Sequence, residues 1–118
     1  MGTWGTRNFD NDTAGDFYLQ FIERMMMEIR LTMKNELRIH AGNYWGEVIP
    51  CMIDLIRVIA EQDFHCLDLD TEEFKRWKQT YMDRWKLTID ECNANAAYRR
   101  EQVLNETFDK LIALSEQQ

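Results

Sequence analysis

Three carboxylates, Asp10, Asp12 and Asp16, fall within seven residues near the start of the chain. Carboxylates so spaced can ligate calcium. A calcium loop also wants an oxygen donor at its fifth position, glycine at its sixth and a bidentate Glu at its twelfth. Counted from Asp10, Gly15 fits the sixth position, but Ala14 and Phe21 occupy the fifth and twelfth. The acids therefore read as partners for the free N–H groups and the dipole of a helix start. His65, Cys66, Asp68 and Asp70 form a second cluster of metal-capable atoms. Adjacent ligands rarely converge on one zinc ion, which needs four donors and usually separates paired ones by two residues. No metal and no cofactor is expected at either place.

Nucleophilic catalysis by Cys51, Cys66 or Cys92 would need a positioned histidine and an orienting third group. Only His40 and His65 are available, and no nucleophile elbow or glycine-rich oxyanion loop accompanies them. The five glycines include no phosphate-binding pattern. Asp54 and Arg57, three apart on an apolar segment, read as charges paired with each other or with partners across the bundle. The residue chemistry points to a non-enzyme.

The elements that would hold these groups are helices. Asn11, Asp12 and Thr13 offer N-caps, with Thr13 and Asp16 spaced as a capping box. Phe17, Phe21, Met25, Ile29, Met33 and Leu37, flanked by Tyr18 and Ile22, form a broad apolar stripe read as the core face of a first helix. One of the consecutive Met25, Met26 and Met27 must face outward. Gly42 and Asn43 read as the stop of this helix. A second helix is expected from about Glu47 or Ile49 to Glu61, with Pro50 in its first turn. It is the most apolar of the set and would be central. Asp70, with Glu73 as a capping-box partner, opens a third helix whose core face is Phe74, Trp77, Tyr81 and Trp85. After Asn93-Ala94-Asn95, residues Tyr98, Leu104, Phe108, Leu111 and Ile112 describe a fourth helix or the continuation of a kinked third. The expected fold is all-α: a single domain over residues 1–118, a bundle of about four helices, with residues 1–12 an extended N-terminal arm docked on it.

Composition limits the partners. The chain has 118 residues, 45% of them hydrophobic, and a net charge of −7. Nucleic acid and anionic membranes are disfavoured because each selects clustered Lys and Arg. The acidity is concentrated: residues 41–70 carry Arg57 alone against Glu47, Asp54, Glu61, Asp63, Asp68 and Asp70. A basic protein partner suits such a surface. Three cysteines with no CxxC pair are expected as free thiols in a reducing compartment. No basic start followed by an apolar run resembles a signal peptide, so a cytoplasmic location is expected.

The arm itself carries aromatic residues. Trp4 left in water would forgo roughly 2–3 kcal/mol of burial free energy, and Gly2 and Gly5 let the backbone lie close to its packing surface. The pattern Gly2-Thr3-Trp4-Gly5, then Phe9-Asp10-Asn11-Asp12, Ala14 and Asp16, resembles the opening of a bacterial family of unknown function numbered 4259. The resemblance covers residues 2–17 and fades into a general helical likeness, including Glu47–Ala60. Arg7 and Gly15 depart from the family pattern. The resemblance implies a fold and assigns Trp4, Phe9, Asp10, Asn11, Asp12 and Asp16 a structural role; it implies no activity.

Together these features suggest a non-catalytic acidic binding protein. Its sharpest form is a bacterial immunity or antitoxin protein that neutralises a basic toxin through Glu47, Glu61, Asp63, Asp68 and Asp70. The alternative is a self-associating module, with Trp45, Met26 or Phe64 in the contact between copies, or an enzyme of unrecognised type.

Overall fold

The computed structural model describes residues 5–8, 10–62, 68–89 and 94–117. Four α-helices follow one another: α1 (Asp12–Lys34), α2 (Tyr44–Ala60), α3 (Thr71–Thr88) and α4 (Ala94–Glu116), with a 3₁₀ turn at Glu36–Arg38. Among the described residues there is no strand. The architecture is an all-α four-helix bundle, elongated at 55 × 27 × 23 Å.

The helices close a ring of contacts in the order α1, α2, α4, α3. Ion pairs and hydrogen bonds fix their directions. Thr71 meets Ser115, Lys78 meets Asp109 and Lys86 meets Glu101, so α3 and α4 are antiparallel. Arg30 on α1 meets Glu73, and the turn beyond α1 meets the end of α3, through Ile39 with Arg84 and Ala41 with Thr88. The C-terminal part of α1 therefore runs parallel to α3. The first half of α1 lies before the beginning of α3 along the bundle axis.

Inside the ring the core holds Ile22, Ile29, Ile49, Ile53, Ile56, Phe74, Tyr81, Leu104, Phe108 and Leu111, all buried. Trp77 and Trp85 are buried as well, so the aromatic stripe of α3 faces the core as its spacing predicts. Tyr81 and Phe108 stack at a tilt with centroids 5.4 Å apart, joining α3 to α4. Helices α3 and α4 are separate, because the chain turns extended at Ile89 after Thr88.

Several details differ from the sequence expectations. The core face of α1 is Tyr18, Ile22, Met26, Ile29 and Thr32, while Phe17, Phe21 and Leu37 are exposed. A step of four residues advances about 40° around a helix of 3.6 residues per turn. Five such steps cannot stay on one face. Of the three methionines, Met27 faces outward and Met26 is buried, which removes Met26 from any contact between copies. Helix α1 stops at Lys34, well before Gly42. Its N-cap is Asn11, whose side chain accepts from the Ala14 N–H at 2.8 Å; the Thr13 and Asp16 box does not form. Asn43 opens α2, accepting from the Gly46 N–H at 3.0 Å while its amide donates to the Arg38 carbonyl. Helix α2 thus begins one turn earlier than expected and holds Pro50 inside it. Nor is α2 central: Cys51, Leu55 and Val58 are exposed, because in a ring of four each helix contributes one face to the core.

Candidate functional site

The acidic set falls on α2 and on the connection to α3. Glu47 is exposed on the first turn of α2 and Glu61 is exposed just past its end. Fourteen residues separate them, or about 21 Å along the axis. They are nonetheless on one side of the helix. Seven residues make nearly two full turns, so Glu47, Asp54 and Glu61 line up within about 40° of one another. Exposed Cys51, Leu55 and Val58 flank this acidic line. Arg57 stands beside it, 2.8 Å from the Glu61 carboxylate and 3.8 Å from that of Asp54. One cation is thus shared between Asp54 and Glu61, and with Glu47 the line keeps a net negative charge.

Asp68 and Asp70 are exposed before α3. Asp70 is the N-cap of α3 and accepts from the Glu73 N–H at 3.1 Å. Glu73 does not return the capping-box bond. Its two oxygens take both arms of the Arg30 guanidinium, at 2.8 and 2.9 Å. The attraction of a cation from a neighbouring helix outweighs a second local cap here. That carboxylate raises the Arg30 pKa above its ordinary value. Asp63, and with it Phe64, His65 and Cys66, lies outside the described residues.

At the N-terminal motif, Trp4 and Phe9 lie outside the described residues, while Gly5 to Asn8 are exposed and Asp10 is buried. Asp10 closes a turn on Arg7. Its carboxylate accepts from the Arg7 backbone N–H and from two guanidinium nitrogens, each at 3.1 Å. The guanidinium bond holds the Asp10 pKa below the usual carboxylate value, against the opposing effect of burial. A Cβ on Gly5 would sit 2.3 Å from an Asp10 carboxylate oxygen, which gives that glycine a structural reason. Asp12 and Asp16 are exposed on the first turns of α1, where negative charge suits the helix dipole.

The remaining titratable groups are dispersed. His40 Nδ1 accepts from the Gly42 N–H at 3.1 Å within the turn before α2. Cys51 is a free, exposed thiol, and Cys92 lies outside the described residues. Among the described residues no three His, Cys, Asp or Glu side chains gather to hold a metal ion. Described residues line several open, shallow grooves. One between α3 and α4, of about 370 Å³, is lined by Lys75, Lys78 and Lys86 but also by Asp83 and Asp109, and each lysine is paired with an acid: Lys75 with Glu72, Lys78 with Asp109 and Lys86 with Glu101. No helix among the described residues is long and apolar enough to cross a membrane.

One buried polar group stands out. The Tyr81 hydroxyl donates to the Gly46 carbonyl. Burial pushes its pKa up to about 12, as expected for a phenol deprived of water to solvate its anion. This is a structural clasp between α2 and α3.

A surface missed by the sequence reading is the outer side of α1. Phe17, Phe21, Met27 and Leu31 are all exposed there, at 63, 49, 60 and 54%. No protein-family model, curated protein or solved structure matches this chain.

Proposed function

We propose that this chain is a non-catalytic protein-binding domain that captures a basic partner on the outer face of α2, and that its role is to neutralise a bacterial toxin. The observation that carries this reading is the acidic line Glu47, Asp54 and Glu61 beside exposed Cys51, Leu55 and Val58. Apolar side chains at the centre of such a face give contact area, while charge at the rim steers encounter and selects the partner. Asp68 and Asp70 are exposed before α3 and add to the negative charge of this part of the chain. Asp54, which reads from sequence as half of an ion pair, becomes part of the binding face.

The test is protection and binding by charge reversal. The triple variant Glu47→Lys, Asp54→Lys, Glu61→Lys is expected to lose affinity for the toxin encoded beside this gene by at least about 100-fold. It should also stop protecting cells, with its helical circular dichroism unchanged. Affinity retained in the triple variant would rule out the α2 face.

A further inference from the structure

The outer side of α1 carries an apolar stripe that the bundle leaves uncovered. Phe17, Phe21, Met27 and Leu31 are each about half exposed or more. Phe17 and Phe21 meet edge to face with centroids 5.0 Å apart. With Gln20 and Arg24 they line a shallow depression of about 150 Å³, room for one aliphatic side chain. The stripe offers roughly 400 Å² of apolar surface, comparable to the largest patch on an ordinary monomer.

The sequence of the stripe is self-complementary. Phe21 and Leu31 lie five residues either side of position 26, and Arg24 and Glu28 lie two either side of it. All four belong to the outer face; Arg24 and Glu28 are exposed, and neither takes part in an ion pair among the described residues. If two copies lay α1 against α1 in antiparallel fashion about a dyad at position 26, each Arg24 would face the Glu28 of the other copy. Each Leu31 would face the depression beside Phe21. Every contact would occur twice, as a two-fold interface requires. A parallel pairing in register would instead set Arg24 against Arg24 and Glu28 against Glu28.

We infer that the outer face of α1 is a docking surface for a second copy of this chain, joined as an antiparallel pair. With its polar rim the contact is at the small end of stable interfaces, so the dimer is a weak one that forms in the micromolar range. The inference is independent of the partner proposed for α2.

Sedimentation equilibrium of the full chain from about 5 to 500 µM tests it, over the range where a small interface dissociates. The mass is expected to rise from 14.2 kDa towards twice that value. Phe21→Glu and Leu31→Glu each should hold the protein at the monomer mass, with unchanged circular dichroism because both positions are exposed. Arg24→Glu should weaken association at least about tenfold, and adding Glu28→Arg should restore it to within about threefold. A monomer mass at all concentrations overturns the inference. So does association that ignores Phe21→Glu, or a double charge swap that fails to restore what the single change removes.

Discussion

The Tyr81 hydroxyl donates to the Gly46 carbonyl, the α2 acceptor that Pro50 leaves without a helical N–H. In an α-helix the carbonyl of residue 46 would accept from residue 50, and proline has no hydrogen to give. The chain fills the gap from α3. The same bond explains how a proline is tolerated inside the helix, and it ties the register of α3 to that of α2.

Tyr81→Phe is therefore expected to cost about 1–3 kcal/mol, the penalty for a buried carbonyl left unsatisfied. Pro50→Ala returns an N–H to the same carbonyl. In the Pro50→Ala background the cost of Tyr81→Phe should shrink by half or more. Urea denaturation of the four proteins in this cycle measures the coupling. Equal costs in the two backgrounds would mean that the hydroxyl and the missing N–H are unrelated.

Gly46 has a second constraint. A Cβ there would lie 1.8 Å from the His40 carbonyl oxygen, with backbone atoms on both sides of the contact. Gly46→Ala is expected to cost more than about 3 kcal/mol or to prevent folding, because neither α2 nor the preceding turn can give way without losing the Asn43 cap. Gly15 provides the contrast. It lies within α1, and a Cβ there would meet nothing closer than 3.9 Å. Gly15→Ala should stabilise by about 0.5–1 kcal/mol, as expected when a helical glycine is replaced without strain. Thermal melts of the two variants should move in opposite directions.

Much of this architecture is legible in the residues. Phe74, Trp77, Tyr81 and Trp85 are spaced by three, four and four residues, which keeps them on one side of a helix, and all four are buried. Asp70 is the cap its position before Thr71 suggests. The first helix is harder because two apolar stripes share it. Tyr18, Ile22, Met26 and Ile29 go to the core, while Phe17, Phe21, Met27 and Leu31 remain outside. Apolar character alone does not choose between them. The start of α2 is misread for a different reason. Proline is common in a first turn, and nothing local reveals that a tyrosine 35 residues away satisfies the carbonyl behind it. Asp54 and Glu61 share a polar line of the expected helix, but Glu47 joins them only once the helix is known to begin at Tyr44 and to leave that side in solvent.

Asp10 makes a prediction about pH. Its pKa lies below the ordinary carboxylate value because the Arg7 side chain bonds the carboxylate. A carboxyl depressed in the folded state adds stability at pH values above its unfolded pKa. That contribution is lost as pH falls through the folded value. The Asp10 carboxyl carbon, followed by NMR, should titrate below the ordinary carboxylate range and return to it in Arg7→Ala. Added salt should narrow the difference, since the Arg7 side chain is 68% exposed. A midpoint at or above the ordinary value in the native chain would show that the turn does not close in solution.

Arg30 and Glu73 make the last. Their paired bonds of 2.8 and 2.9 Å join α1 to α3 across 43 positions of sequence. Two-point contact fixes the guanidinium plane, and the Glu73 side chain is only 16% exposed, so the pair should sit at the upper end of the range for surface bridges. A double-mutant cycle with Arg30→Ala and Glu73→Ala is expected to give a coupling of about 0.5–1 kcal/mol. If Glu73 acted instead as the capping partner of Asp70, its removal would weaken α3 equally with or without Arg30, and the coupling would vanish. Hydrogen exchange separates the same alternatives. Loss of the cross-helix pair should expose amides at the C-terminal end of α1 as well as the start of α3, whereas loss of a cap would expose the start of α3 alone.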